Sequence, residues 1–447
     1  MKTNSLLFAF IIASTALYAQ HPQLKAGPMP GYSEMKEAVI WLQTNEKVTV
    51  YAKYWNISDT TVIHRTNTVT SCREKAFTAL LVADTVEPGH RYQYDIFIED
   101  ERINLPYKTY FHTQELWRWR KDPPDFNFLA GSCAYINEAR YDRPGEPYGG
   151  EYNIYGSMAR EKADFMIWLG DNLYFREPDW NSRTGIMHRY THDRSIPELQ
   201  EFLASTHHYA IWDDHDYGPN NSDRSFWNKN QTREAFRYFW ANPSYGVGNV
   251  DGAITFFQYA DADFYLLDNR TYRTPNGLDE SGKTQLGQEQ LQWLFDNLVS
   301  SRSTFKFIVL GGQFLSTSGI YEAYTNYGFN TERQRIIDFI YAYDIQNVIF
   351  LTGDVHFSEI SVLAEDGQPK ILDITSSPLN SGVNTNGINQ PNTLRVPGSV
   401  IMKRNYTRLE ISGKERERRL VVSYFNAGGV KLYSQEFPAE YPKPEKD

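Results

Sequence analysis

Phe165-Met166-Ile167-Trp168-Leu169-Gly170-Asp171-Asn172-Leu173-Tyr174 decides the fold class. Five consecutive apolar residues read as a strand buried on both faces, as in the sheet of an α/β layered domain. The glycine and the polar residues after it stand just past the end of a buried strand, where α/β folds place their ligand sites. The same design recurs on either side. Phe126-Asn127-Phe128-Leu129-Ala130 leads into Gly131-Ser132-Cys133, and Tyr209-Ala210-Ile211-Trp212 leads into Asp213-Asp214-His215-Asp216. Val348-Ile349-Phe350-Leu351 leads into Thr352-Gly353-Asp354-Val355-His356. With a further buried-type strand at Phe305 to Leu310 and a helix near Ile154 to Lys162, these segments predict an α/β layered domain over residues 125–447. The tail from Asn405 to Tyr433 returns to strands and reads as an extra edge of the same domain.

Upstream the pattern changes. Ala38-Val39-Ile40-Trp41-Leu42, Val48-Thr49-Val50-Tyr51-Ala52, Phe77 to Val82 and Tyr92 to Ile98 are short runs separated by polar turns. Period-two runs of this kind predict an antiparallel β-sandwich over residues 20–115, of fibronectin III or Ig-like type. Two prolines, Pro123 and Pro124, close an aperiodic segment from Leu116 that serves as the boundary. At the start, Lys2, the apolar run Leu6 to Leu17 and Tyr18-Ala19-Gln20 have the three parts of a secretory signal peptide, residues 1–19. That run is too short to span a bilayer comfortably, and the Pro/Gly-rich stretch from His21 to Tyr32 follows it. No later segment is apolar enough to cross a membrane, so the expected protein is periplasmic or secreted, with no transmembrane segment.

Composition narrows the partners. The chain has 447 residues, 22% charged and 41% hydrophobic, which is ordinary for a globular protein of two or three domains. A net charge of −10 leaves no electrostatic footprint for duplex nucleic acid. Bound cations can still reverse the local field for a phosphate ester. The aromatic content of 15% reads as aromatic-rich strands.

The strand-end residues are metal-ligand types. An Asp one residue past a buried strand, as at Asp171, can project a carboxylate into a shared crevice and bridge two cations; alone it could equally be a helix N-cap. Tyr174 can turn back to the same centre, where a phenolate suits a hard ferric ion. Asp354 and His356 alternate along an extended segment and point the same way. Asp213 to Asp216 places three carboxylates and an imidazole in four positions, which cations or protons must neutralise. Cys133 is either a metal ligand or half of a disulfide with Cys72, the only other cysteine.

Taken together, Gly131-Ser132-Cys133, Gly170-Asp171-x-x-Tyr174, Trp212-Asp213-Asp214-His215-Asp216, Leu267-Asp268-x-Arg270-x-Tyr272-Arg273, Gly311-Gly312-Gln313 and Gly353-Asp354-Val355-His356 resemble alkaline phosphatase D, the PhoD-like metallophosphatases. The resemblance implies a four-layer α/β/β/α core related to purple acid phosphatases, preceded by the β-sandwich. It implies Fe3+ and Ca2+ as cofactors, with Cys133, Asp171 and Tyr174 on iron, Asp171 bridging, and Asp214, Asp354 and His356 completing the cluster. It places His215 near the leaving oxygen and makes Arg270 a phosphate clamp, its alternative being an ion pair with Asp268. The implied substrates are phosphate-ester small molecules or phospholipids, as monoesters or diesters, acted on by a monomer. The rival reading is a secreted binding protein whose α/β domain is an inert scaffold.

Overall fold

A computed structural model describes residues 22–279 and 281–441; the expected signal peptide lies outside the described residues. The first nine strands are β1 (Leu24–Ser33), β2 (Ala38–Thr44), β3 (Thr49–Asn56), β4 (Asp59–Arg65), β5 (Val69–Thr70), β6 (Thr78–Ala83), β7 (Arg91–Ile98), β8 (Glu101–Arg102) and β9 (Tyr110–His112). They form two antiparallel sheets, β1-β2-β6 and β4-β3-β7-β8, with β5 and β9 added to β3 and β7. Alternate residues Ile40, Leu42, Val50, Ala52, Tyr94 and Ile96 meet between the sheets. Strand β2 is nonetheless buried along its whole length. Its other face, Val39 and Trp41, packs with Phe239 and Trp240 of the following region, and the Trp41 indole donates to the Tyr238 carbonyl at 2.7 Å. Most of the Pro/Gly-rich stretch forms β1; register shifts around Ala26, Met29 and Pro30 let the strand take up its glycines and prolines.

The remaining elements are β10 (Phe126–Gly131), α1 (Asn153–Arg160), β11 (Phe165–Leu169), α2 (Arg183–Arg194), α3 (Pro197–Ser205), β12 (His207–Ile211), α4 (Asp214–Tyr217) and α5 (Lys229–Phe239). A small hairpin, β13 (Gly246–Val247) and β14 (Val250–Asp251), precedes β15 (Thr255–Tyr259), β16 (Ala262–Leu266), α6 (Gln288–Ser300), β17 (Phe305–Val309) and α7 (Asn330–Ala342). The chain ends with β18 (Val348–Thr352), β19 (Glu359–Leu363), β20 (Ile371–Thr375), β21 (Asn405–Ser412), β22 (Arg419–Asn426) and β23 (Lys431–Pro438).

These make two six-stranded sheets, β12-β11-β10-β21-β22-β23 and β15-β16-β17-β18-β20-β19. Their inner faces share one apolar core, in which Phe128 meets Phe264 and Phe307 edge-on, each at 5.3 Å. Such aromatic pairs add about 0.5–1.5 kcal/mol each beyond their buried area, and they account for much of the aromatic content. Residues of α1, α2, α3 and α5 cover the outer face of the first sheet, and those of α6 and α7 the outer face of the second. The architecture is the four-layer α/β/β/α sandwich. The C-terminal tail is more than an edge: β21 pairs directly with β10, and β21 to β23 supply half of the first sheet.

Candidate metal centre

Strands β10, β11 and β12 run parallel in one sheet, and β16, β17 and β18 run parallel in the other. All of their carboxyl ends therefore open toward one crevice. Backbone bonds join the loops that leave them: Ala134 N donates to Asp171 O at 2.8 Å and Gly353 N to Gly311 O at 2.6 Å. Close approach is needed there. A Cβ on Gly311 would lie 2.2 Å from the Asp213 carboxylate carbon, and one on Gly170, whose φ is +91°, would lie 2.7 Å from Asp213 Cβ. Cys133, Asp171, Asp354 and His356 themselves have φ of 60°, 52°, 68° and 61°. A left-handed conformation costs a non-glycine residue about 1–2 kcal/mol, and its recurrence at four residues of one crevice marks a site whose geometry matters more than its local strain.

Potential ligand atoms converge in three overlapping groups: Cys133, Asp171 and His356; Asp171, Asp214 and His215; and Asp213, Asp214 and Asp354, each within 4.8 Å. Asp171 joins the first two groups and Asp214 the last two. In the first, Cys133 Sγ lies 3.7 Å from Asp171 Oδ2, and the Tyr174 hydroxyl lies 3.1 Å from that oxygen and 3.2 Å from His356 Nε2. His356 Nδ1 faces the Gly382 carbonyl at 2.7 Å, which holds the hydrogen on Nδ1 and leaves the Nε2 lone pair aimed inward. One phenol hydrogen thus stands between two acceptors. The His215 ring packs against Tyr174 at a tilt of 35°, with ring centroids 4.1 Å apart, and its backbone N donates to Asp171 Oδ1 at 3.2 Å.

The electrostatics call for cations. Asp213 Oδ2, Asp214 Oδ1 and Asp354 Oδ2 are buried with no hydrogen-bond partner among the described residues. An unpaired buried carboxylate oxygen is costly, so three in one crevice, beside a thiol, a phenol and an imidazole, fit a set of metal ions. Burial, then the charge of Asp214, holds the Asp171 carboxyl well above the usual range. Burial, then Asp213, does the same to Asp354. Burial carries Asp213 to about 6 and the Cys133 thiol to about 12.

Raised folded-state values mean that the metal-free protein gains most from these groups at low pH, below the unfolded carboxylate value near ~4, and loses it as pH rises through the folded values. Cations bind the deprotonated ligands, so their affinity runs the opposite way and binding releases protons. The thermal midpoint gained on adding metal is therefore expected to widen from about pH 5 to about pH 8. A gain independent of pH would show that these groups are not the ligands.

Three readings change at this point. Asp216 is not aimed at the crevice: its oxygens accept from Asn172 N at 2.9 Å and Asp213 N at 3.0 Å, closing a capping box at the start of α4. Asp213, left out of the expected ligand set, faces the site. Arg270 is fully buried, its guanidinium 2.5 Å from both Asp213 Oδ1 and Glu322 Oε2. The Asp268 carboxylate accepts from the backbone N of Arg270, at 2.9 Å, from Thr271 and from Ala253 N, and makes no ion pair with the Arg270 guanidinium among the described residues. The ion pair is therefore with Asp213 and Glu322 rather than Asp268. Cys72 and Cys133 both carry free thiols.

The PhoD-like phosphatase family model matches residues 128–416, the stretch that holds all of these strand ends. The chain belongs to the PhoD-like phosphatase family. A second model, described only as a domain of unknown function (DUF7800), matches residues 21–116. Alkaline phosphatase D of Bacillus subtilis (strain 168) is 30% identical over 292 residues, which is 54% of this chain and 48% of that relative, so the match spans about half the relative's length. A solved structure of PhoD superposes with a TM-score of 0.76 at 20% identity, covering 93% of each chain. A purple acid phosphatase from yellow lupin (Lupinus luteus) seeds superposes with a TM-score of 0.64 at 11% identity, covering 93% of this chain and 74% of that one. At those identities the two structures bear on the fold, and the PhoD-like fold extends over the N-terminal sheets as well.

Proposed function

We propose that this PhoD-like chain is an exported phosphoester hydrolase, periplasmic or secreted, that works with Fe3+ and Ca2+ in the strand-end crevice. The observation that carries the reading is that the group Cys133, Asp171 and His356 and the group Asp213, Asp214 and Asp354 are joined where Asp171 and Asp214 approach each other, with three unpartnered carboxylate oxygens among them. Donor chemistry suggests how the ions divide. Cys133, Asp171, Tyr174 and His356 mix thiolate, phenolate, carboxylate and imidazole, which suits iron, whereas Asp213, Asp214 and Asp354 offer only carboxylate oxygens, which suits calcium.

Bound cations supply Lewis acidity for attack of water on phosphorus and neutralise charge on the phosphoryl oxygens. The chain's own residues do the rest. Asp171 would be a ligand common to both parts of the site, and the Gly382 carbonyl fixes the tautomer of His356. Arg270 pins Asp213 against Glu322. His215, whose side chain keeps 21% exposure at the crevice, is placed to give a proton to the leaving oxygen. The signal-peptide pattern of residues 1–19 supports export. The N-terminal sheets, residues 20–115, and the region from 125 onward are proposed as separate folding units with a shared apolar interface.

The test is hydrolysis of 4-nitrophenyl phosphate and of bis(4-nitrophenyl) phosphate by protein purified without chelator, before and after metal removal. Hydrolysis of either that falls on metal removal and returns on reloading is expected; none by the metal-replete protein would favour the inert scaffold. In the same assay His215→Ala should keep its metals and lose roughly 10²-fold in turnover. Loss of metal instead would make His215 a ligand.

A further inference from the structure

Tyr148 belongs to none of the strand-end motifs, yet its phenol reaches the metal centre. The hydroxyl oxygen lies 3.1 Å from His356 Nδ1, the nitrogen that also faces the Gly382 carbonyl oxygen at 2.7 Å. A carbonyl oxygen only accepts, so Nδ1 carries the imidazole hydrogen, and the Tyr148 oxygen must accept from it as well. The phenol's own hydrogen is thereby turned away from His356. Tyr148 is 44% exposed as a residue, and among the described residues its hydroxyl has no hydrogen-bond contact besides His356, which leaves that hydrogen without an acceptor.

An exposed tyrosine is ordinarily free to move, but this one is held. A Cβ on Gly382 would lie 2.4 Å from Tyr148 Cε2, so the ring rests where only glycine leaves room. Tyr135 meets the ring edge-on at 5.0 Å and lies 5.1 Å from Tyr174 on its other side. The backbone is tied too: Arg404 Nη2 donates to Tyr148 O at 3.2 Å, Gly149 N to Asn137 Oδ1 at 2.9 Å and Gly150 N to Asn380 O at 2.9 Å. A side chain kept exposed and fixed with a spare donor at the rim of a cation cluster is built to meet an anion.

We propose that Tyr148 donates its phenol hydrogen to a non-bridging phosphoryl oxygen of the bound ester. This rests on the phosphoester reading above. No proton is transferred; the phenol stays neutral and supplies a hydrogen bond. Tyr148→Phe removes that donor and leaves the ring in place. Gly382→Ala keeps the hydroxyl and pushes the ring aside.

The experiment measures, for metal-loaded wild type and both variants, the affinity for inorganic phosphate by calorimetry, kcat and KM for 4-nitrophenyl phosphate, and metal content. Both variants should lose phosphate affinity and kcat/KM by roughly 10- to 10²-fold, the size of one hydrogen bond to a charged group, with metal content unchanged in Tyr148→Phe. Unchanged phosphate affinity and kcat/KM in Tyr148→Phe would overturn the proposal. So would a parallel loss of metal in Tyr148→Phe, which would make Tyr148 a support for His356. A wild type that hydrolyses the ester while Tyr148→Phe matches it sinks this donor alone; a wild type that neither binds phosphate nor hydrolyses the ester sinks the phosphoester reading itself.

Discussion

Asp171→Asn is expected to empty the crevice of its bridged metals and to lower phosphoester turnover by roughly 10³-fold or more. The substitution keeps the shape and the acceptor for His215 N at 3.2 Å, so the loop after β11 can persist. What it removes is a charge shared by two of the three ligand groups. Removing a single preorganised group from a reacting centre commonly costs about 10²- to 10³-fold, and a residue common to two groups acts on both. The same variant should have the opposite effect on the metal-free protein. Burial and Asp214 make the Asp171 carboxylate unfavourable there, so a neutral amide raises the metal-free thermal midpoint at neutral pH. Elemental analysis, initial rates and melting curves on one preparation check all three effects. Full metal content with a rate within tenfold of wild type would mean that Asp171 bridges nothing.

Arg270→Met should destabilise the fold by roughly 3–5 kcal/mol, because it strips a fully buried cation from between two buried carboxylates. Asp213 and Glu322 cannot reach solvent, being 1% and 4% exposed on their side chains. Glu322 also pairs with Arg273, at 3.1 Å, but that guanidinium does not reach Asp213 in the structure. Bound cations would recover part of the loss by drawing off the charge of Asp213. Were Arg270 a phosphate clamp, its removal would weaken phosphate binding and leave the melting curve of the metal-free protein where it was. Thermal unfolding of metal-free Arg270→Met separates the two roles.

The strand-end motifs were legible because a buried strand is a long apolar run, and a polar residue directly after it has few places to point but the crevice. Legibility failed where roles depend on partners distant in sequence. Asp213, Asp214 and Asp216 look interchangeable as a string, yet backbone geometry turns the third into a cap for the first, a relation that the three-residue spacing could have suggested. Arg270 finds Glu322 across a loop that no local pattern links to it. Tyr148 stands among polar and glycine residues with no periodicity, and its place beside His356 depends on the turn at Gly382 after β20. Strand order was equally hidden: nothing in Asn405 to Ser412 says that this segment lies beside β10 rather than at the edge. The prolines of β1 argued against a strand, and only its register shifts reconcile them with one.

The central claim is that Cys133, Asp171, Tyr174, Asp213, Asp214, Asp354 and His356 hold more than one cation, with iron on the tyrosine side. Elemental analysis joined to the visible spectrum of protein purified without chelator tests it most directly. A free tyrosine loses its proton only near pH ~10, and burial pushes Tyr174 higher still, so tyrosinate at neutral pH requires a metal. Iron and calcium are expected in the same chain, with a visible charge-transfer band that fades in Tyr174→Phe. Zinc or magnesium alone, or iron-replete protein without colour, would contradict it.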